Sequence, residues 1–173
     1  MPIKSVGHIG FCVSDLERSL RFWCEGLGFE VLREFEFYGS SWKRVLELDD
    51  LDLETRIIRR DEMMLEILHF KKPGTLGSRE RSPMNQLGFT HLAIWVNGID
   101  EVAQRVVDYG GTVIESARTV FDHPKIKGEW LICTDPDGIR VEFVDYPAGI
   151  AVLKREKSRA KGKEPGGRSG AAC

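Results

Sequence analysis

The chain carries the stretch VGHIGFCV at residues 6–13 and a similar stretch, FTHLAIWV, at residues 89–96. Both are short runs of β-branched, aromatic and other apolar residues, which is typical of β-strands. His8 and His91 stand at equivalent places in them, 83 residues apart. The same offset aligns further pairs, Leu16 with Ile99 and Gly28 with Gly111. Self-similarity over this length predicts that the chain is a duplicated structural unit.

A helix is predicted after each of these strands. The first helix is expected to begin at Ser14, because Glu17 three residues later completes a capping box. The second is expected to begin at Asn97, another residue that caps helices well. Apolar residues recur at helical spacing in both segments, so each helix is expected to run for about three turns and to cover one face of a sheet.

Three more strands complete each half. They are predicted at residues 29–37, 54–60 and 63–70 in the first half, and at 112–118, 129–134 and 139–146 in the second. The last two strands of each half form a hairpin. Within the hairpins the offset between equivalent residues is 76, so the first half contains about seven extra residues, placed within 40–53. Residues 42–48 fit either a short helix or a strand.

Length, composition and charge limit the classes of fold and partner. The chain has 173 residues, of which 42% are hydrophobic, and 25 Lys and Arg stand against 27 Asp and Glu. We expect one domain over residues 1–150, with modules at about 5–70 and 89–146, followed by a basic flexible tail at 151–173. The nearly balanced charge disfavours binding to nucleic acid, and no apolar segment is long enough to cross a membrane.

The cysteines and the N-terminal residues indicate a compartment. Cys12, Cys24, Cys133 and Cys173 lie far apart in the sequence and form no CxxC pair, so a disulfide framework is not expected. The first three are expected to pack in apolar surroundings. The N-terminal residues lack the apolar core of a secretory signal, and together these features predict a cytoplasmic protein.

Two carboxylates interrupt otherwise apolar strands. Glu66 shares a strand face with Met64 and Leu68, and Glu142 occupies the equivalent place in the second half. A charge buried there is costly unless a cation or hydrogen bonds compensate it. The alternative without a functional role is that each carboxylate faces water and each histidine is an ordinary packed or surface residue.

A single divalent ion would compensate both carboxylates. Two imidazoles at equivalent strand starts and two carboxylates at equivalent strand ends form a mixed nitrogen and oxygen set, which suits Zn, Ni, Co, Mn or Fe(II). We therefore predict one metal ion on the pseudo-twofold axis that relates the halves. Its predicted ligands are His8, Glu66, His91 and Glu142.

Two residues are candidates for contact with substrate. Trp95 shares its strand face with His91 and is expected either to pack or to line the pocket. His123 lies beside Lys125 and Lys127 in a loop that is either a substrate contact or an ordinary solvated loop.

Several motifs resemble the vicinal oxygen chelate superfamily. They are HIGFCVSDL at 8–16, FW at 22–23, LGF at 27–29, LEI at 65–67, THLA at 90–93, and DPDG at 135–138 before VEF at 141–143. The superfamily includes glyoxalase I, methylmalonyl-CoA epimerase, extradiol dioxygenases, fosfomycin resistance enzymes and bleomycin resistance proteins. The resemblance spans about residues 6–146. It implies an α+β fold of paired βαβββ modules, in which a cupped, mostly antiparallel sheet carries helices on its outer face.

The resemblance also implies a reaction. His8, Glu66, His91 and Glu142 match the ligand positions of the glyoxalase and epimerase branch, in which a metal polarises a substrate with two adjacent oxygens. The expected protein is a metal-dependent lyase or isomerase that abstracts a proton next to a carbonyl of a small molecule, with Glu142 or Glu66 as the base. Cys12 stands where bacterial glyoxalase I carries an arginine that contacts glutathione, which disfavours a glutathione conjugate as substrate.

Two alternatives and the assembly are left open. One alternative is an Fe(II)-dependent extradiol-type dioxygenase, although a fourth ligand at Glu66 disfavours it. The other is a non-catalytic protein that sequesters a drug or metabolite. The family often forms homodimers, so a homodimer is expected, with the modules pairing either within one chain or between chains.

Overall fold

A computed structural model describes residues 2–124 and 126–146. The first module contains β1 (Ile9–Cys12), α1 (Leu16–Leu20), a π-helical segment (Arg21–Gly26), β2 (Glu30–Phe37), α2 (Ser40–Leu46), β3 (Asp52–Arg60) and β4 (Met63–Lys72). The second contains β5 (Leu92–Trp95), α3 (Ile99–Asp108), β6 (Thr112–His123), β7 (Ile126–Thr134) and β8 (Arg140–Asp145). The predicted tail, Cys173 and Lys125 lie outside the described residues.

The two modules have the same topology. Their four-stranded sheets are ordered β1-β4-β3-β2 and β5-β8-β7-β6. In each sheet the first strand runs parallel to its neighbour and the other pairs are antiparallel. The predicted duplication and the α+β fold are therefore confirmed. The extra segment of the first half contains helix α2, which settles the open choice for residues 42–48.

The starts of both main helices differ from the prediction. Asp15 caps α1, its carboxylate accepting a hydrogen bond from the Arg18 backbone N–H at 2.9 Å. Ser14 instead donates through its hydroxyl and its backbone N–H to Asp137, 123 residues away. Helix α3 is capped at Gly98 rather than at Asn97, and the Gly98 N–H donates to Asp145 at 2.8 Å. In both cases the residue at or just before the cap donates to a distant carboxylate, and the helix begins later than the local sequence pattern predicts.

Other elements also depart from their predicted lengths. The first main helix is not one regular helix, because α1 gives way after five residues to the π-helical segment. Strands β1 and β5 are shorter than expected, so His8 and His91 each stand immediately before a strand. Strand β6 is longer and contains an irregularity between Ile114 and Thr119.

The two modules share one hydrophobic core. Phe22 and Trp23 of the π-helical segment are completely buried together with Val106 of α3 and Phe143 of β8. The helices of the two modules meet where Gly26 lies against Tyr109. Arg105 of α3 donates to the carbonyl oxygen of Gly26 at 2.8 Å, which satisfies an acceptor at the end of the π-helical segment.

A polar cluster also joins the modules. The carboxylate of Asp137, in the turn between β7 and β8, accepts hydrogen bonds from Ser14 and Arg18 of the first module. Arg79, in the segment between β4 and β5, lies 3.3 Å from the same carboxylate. The preceding Asp135 accepts a hydrogen bond from the buried Trp23 indole. The halves are thus held together by ionic contacts as well as by apolar packing.

The described cysteines are free, as expected, but their burial differs from the prediction in one case. Cys133 is buried and Cys24 is partly buried, and burial raises the pKa of both thiols. Cys12 is exposed, because its side chain points away from the core face of the short strand β1. Among the described residues no helix has the length and apolarity needed to cross a membrane.

Candidate metal centre

The first His–Glu pair lies at the start of β1. Strand β1 runs beside β4, with Gly10 opposite Glu66, and this register brings the preceding His8 to the Glu66 carboxylate. His8 Nε2 is 2.9 Å from Glu66 Oε2. The other carboxylate oxygen, Oε1, accepts a hydrogen bond of 2.8 Å from the hydroxyl of Thr55, a completely buried residue on β3. The Glu66 carboxylate is therefore held on both oxygens.

The second pair repeats this arrangement with different support. Strand β5 runs beside β8 with Ala93 opposite Glu142, and His91 Nε2 lies 3.5 Å from Glu142 Oε2. The hydroxyl of Thr90 is 3.1 Å from His91 Nδ1. A hydrogen bond at Nδ1 leaves Nε2 directed at Glu142. Here the histidine ring, rather than the carboxylate, has the additional partner.

The donor atoms of each pair fit a common metal ion. Two ligands of one ion, each bound at about 2.1 Å, lie about 3.0 Å apart in octahedral and about 3.4 Å apart in tetrahedral geometry. The observed separations are 2.9 and 3.5 Å. Both carboxylates are also sheltered, with 15% of the Glu66 side chain and 23% of the Glu142 side chain exposed. Each pair is therefore a chemically suitable half of a metal site.

The four residues do not gather around one point within a single chain. In the described part of the chain, no three His, Cys, Asp or Glu residues lie close enough to hold one metal ion. The reason is the position of the shared core. Leu65 and Ile67 of β4 and Val141 and Phe143 of β8 point into it, and Glu66 and Glu142 alternate with them on the opposite faces. The expected convergence of all four ligands therefore does not occur within one chain.

A cavity opens on each of these faces. The first, of about 450 Å³, contains His8 and Glu66, and we call it the first cup. The second, of about 400 Å³, contains Glu142 together with Phe121 and Trp130, and we call it the second cup. The first cup holds both members of its polar pair and the second holds the carboxylate of its pair, in largely apolar surroundings, as small-molecule sites commonly do.

The structure separates the two predicted substrate contacts from the cups. Trp95 is half exposed and lines a third cavity, of about 420 Å³, together with Arg60 and Arg105 at the junction of the modules. His123 is an exposed residue at the end of β6, paired across the hairpin with Ile126, and it is not among the residues that line the second cup. Of the nearby lysines, Lys127 lies 3.0 Å from Asp122.

Sequence reasoning missed Thr55, Thr90 and helix α2. The repeat gave no signal for the threonines, because the residues at the matching offsets are Leu131 for Thr55 and Gly7 for Thr90. A signal for Thr90 was its position directly before a candidate ligand. Trp42 of α2 lines the first cup, and its segment was noticed only as an insertion of undecided structure.

Comparison with known proteins identifies the family of the chain. The sequence profile of the Glyoxalase/Bleomycin resistance protein/Dioxygenase superfamily matches residues 5–143. The chain belongs to this superfamily. It is 26% identical over 161 residues to a 2-epi-5-epi-valiolone epimerase of Actinomyces sp, covering 90% of this chain and 86% of that protein. It is 28% identical over 144 residues to a lactoylglutathione lyase of Neisseria meningitidis, covering 82% and 91%.

Solved structures support the same fold. A glyoxalase family protein from Bacillus cereus superimposes with a TM-score of 0.70 at 18% identity, covering 84% of this chain and 98% of that one. Because the identity is low, this likeness describes the fold and not the reaction. The predicted superfamily membership is confirmed, and the family includes proteins named as enzymes of two reaction classes.

Proposed function

We propose that the protein is a metal-dependent lyase or isomerase that abstracts a proton next to a carbonyl of a small substrate with two adjacent oxygens. One divalent ion would be held between two copies of the chain, by His8 and Glu66 of one protomer and by the partner's His91 and the partner's Glu142. The observation that carries this proposal is the presence of two matching His–Glu pairs on open faces that one chain keeps apart.

The homodimer follows from the number of donors. Structural and catalytic sites for zinc and similar ions use at least three protein ligands, and each His–Glu pair supplies two. A second copy that places its second cup over the first cup would complete a set of four and convert two open cavities into one enclosed chamber. Twofold symmetry would then produce two identical sites per dimer.

The metal would act as a Lewis acid that stabilises negative charge on a substrate oxygen. The residues of this chain supply the proton transfer. Glu66 is fixed by Thr55 at Oε1 and by His8 at Oε2. Among the described residues, the Glu142 carboxylate has only the longer contact to His91. The less restrained carboxylate is better able to move toward a substrate C–H and take its proton, so Glu142 is the proposed base.

The names of the relatives fit this class of chemistry. An epimerase and several lactoylglutathione lyases are among them, at 26–28% identity. An epimerisation or an isomerisation through an enolate begins with loss of a proton beside a carbonyl, the step assigned here to Glu142. Cys12 remains the residue that weighs against a glutathione conjugate, because an uncharged side chain stands four residues after His8, where bacterial glyoxalase I carries an arginine.

Complementation between two inactive variants tests the shared site. The variants are His8→Gln and His91→Gln, each of which should fail to retain metal alone. If each site takes ligands from two chains, a mixed dimer contains one site with both substitutions and one intact site. Refolding an equal mixture should therefore restore about one quarter of the wild-type metal content. A matched control mixes His8→Gln with Glu66→Gln, which lie in the same half and should restore nothing.

The reaction class has its own measurement. Metal-loaded protein should exchange the α-proton of a carbonyl substrate with solvent deuterium, and the exchange should return with metal content in the complemented mixture. Failure of the mixture to regain metal contradicts the shared site, and so does retention of the wild-type metal content by either variant alone. Full metal content without exchange on any carbonyl compound tested indicates a sequestering protein instead.

A further inference from the structure

The wall of the first cup is built from alternate residues on three adjacent strands. Arg33, Phe35 and Phe37 of β2 line the cavity, as do Leu53 and Ile57 of β3 and Met64, Glu66 and Leu68 of β4. Helix α2 adds Trp42 and Leu46 to this wall. The helix lies in the insertion that the second half lacks, so this part of the wall belongs to the first cup alone.

Aromatic rings form one side of this cavity. The rings of Phe37 and Trp42 have centroids 4.2 Å apart, and those of Phe35 and Phe37 are stacked at 5.7 Å. Phe35 and Trp42 are about 40% exposed, at 39% and 41%, although they are large apolar side chains. A row of contacting rings that is exposed toward a cavity is a surface suited to a flat apolar group.

Arg33 supplies the only positive charge among the residues that line the first cup. In the described part of the chain its side chain has no ion pair or hydrogen bond, whereas Arg56 and Arg59 on the neighbouring strand pair with Glu34 and Glu30. An arginine left unpaired at the edge of an apolar cavity is available for an anionic group of a ligand.

Strand register fixes the distance between this charge and the metal half-site. Arg33 lies opposite Ile57, and Ile57 lies opposite Glu66, so the three residues form a row across the sheet. Two strand spacings separate the Cα atoms of Arg33 and Glu66 by about 10 Å. A ligand that reaches both side chains would lie over Ile57 and bridge this span, which a six-membered ring with a polar group at each end can do.

We propose that the first cup binds an aromatic substrate that carries its two adjacent oxygens at one end of the ring and an anionic group at the opposite end. The oxygens would face His8 and Glu66, the ring would lie against Phe37 and Trp42, and the anion would meet Arg33. Substrates with several negative charges, such as thioesters of CoA or glutathione conjugates, would find one cation in this cavity for two or more charges. The position of the oxygens rests on the proposed metal function, and the position of the ring does not.

Three α-hydroxy acids separate these contributions. Lactate has the two oxygens without a ring, mandelate adds the ring, and 4-carboxymandelate adds a carboxylate opposite the oxygens. Calorimetry on zinc-loaded protein should give affinity at least about tenfold higher for mandelate than for lactate, because a phenyl group is buried. 4-Carboxymandelate should bind about fivefold more tightly than mandelate, through an ion pair in a sheltered site.

Matched variants assign each preference to its residue. Trp42→Ala should reduce the preference for mandelate over lactate to about twofold or less, and Tyr38→Ala should leave it unchanged, because Tyr38 is an exposed aromatic outside the cup. Arg33→Gln should remove the advantage of 4-carboxymandelate, and Arg59→Gln should keep it. If Trp42→Ala does not fold, Phe37→Leu takes its place, since it removes a stacked ring and retains apolar volume.

Several outcomes overturn the proposal. Equal affinity for mandelate and lactate in the wild-type protein excludes the ring site, and so does an equal effect of Trp42→Ala and Tyr38→Ala. A Trp42→Ala protein that becomes monomeric with an unchanged preference assigns Trp42 to the contact between copies. The same titrations in chelator-treated protein separate the two proposals: a preference that persists there while complementation fails contradicts the metal site and supports the ring site.

Discussion

The two modules have the same strand order and each carries one His–Glu pair, but each pair is restrained at a different residue. In the first cup a buried threonine, Thr55, holds the carboxylate. In the second module Thr90 holds His91, and the Glu142 carboxylate has the longer contact. The first cup also carries an added helix and an unpaired arginine. Under the proposed function, the first module would chiefly hold the ligand and the second would transfer the proton.

The largest expected effect comes from replacing the carboxylate of each His–Glu pair in turn. Glu142→Gln should lower the rate of deuterium exchange at saturating metal by about 100-fold or more, because it removes the proposed base. Glu66→Gln should chiefly weaken metal binding, so that excess metal restores exchange to within about tenfold of wild type. Rates measured across a metal titration check this. A reversed order would make Glu66 the base, and full metal content and turnover in both variants would contradict the mechanism.

A smaller effect is expected from glycines at equivalent places in the repeat. A Cβ at Gly111 would lie 2.5 Å from the Thr134 carbonyl oxygen and 2.6 Å from the Phe22 ring, so Gly111→Ala should destabilise the fold by about 3 kcal/mol. Gly28 has a φ of +71° and only the flexible Arg60 side chain nearby, so Gly28→Ala should cost about 1 kcal/mol. Urea unfolding of the two variants measures the difference. Equal losses would show that the core tolerates a shift around Gly111.

The smallest effect concerns the hairpin turns. The turn of the second half contains Asp135, whose pKa burial raises to about 6, whereas the turn of the first half is exposed at Asp61 and Glu62. Below pH 6 the folded protein takes up a proton at Asp135 that the unfolded chain takes up only near pH 4. This residue therefore stabilises the fold as the pH falls and loses that contribution as the pH rises through 6.

The pH effect can be isolated by difference. Between pH 7.5 and pH 5, the free energy of unfolding of the wild type should rise by about 1 kcal/mol relative to that of Asp135→Asn, because the variant has no carboxyl to protonate. Urea titrations of both proteins at the two pH values give this quantity, and the other titrating groups cancel in the comparison. A difference that does not change with pH would mean that the Asp135 carboxyl keeps its ordinary pKa when folded.

The repeat made most of the fold predictable. Equivalent strands, hairpins and glycines could be aligned because a duplicated sequence carries the pattern twice, and His8 and Glu66 could be matched with His91 and Glu142 in the same way. The helix caps could not be predicted. Asp137 accepts a hydrogen bond from the Ser14 N–H, and Asp145 accepts one from the Gly98 N–H. These contacts join residues up to 123 positions apart, which a local sequence pattern does not reveal.

The arrangement of the candidate site was also beyond the sequence. Periodicity identified the strand faces that carry Glu66 and Glu142, but it did not reveal that one core lies between those faces. Thr55 and Arg33 escaped notice because nothing in the second half corresponds to their roles. A comparison of the two halves identifies only residues that both halves share. Thr55 and Arg33 occur in the first half alone, so this comparison gave no signal for them.

The polar cluster around Asp137 fixes the position of the second module relative to the first. Ser14, Arg18 and Arg79 clamp that turn against the first module, and Trp23 is tied to the same turn through Asp135. These contacts fix the two modules relative to each other, so the His–Glu pairs of one chain stay apart. In the proposed dimer, the contact between the two copies would therefore set the distances between the metal ligands, and a substitution on that contact surface, far from either histidine, would weaken metal binding.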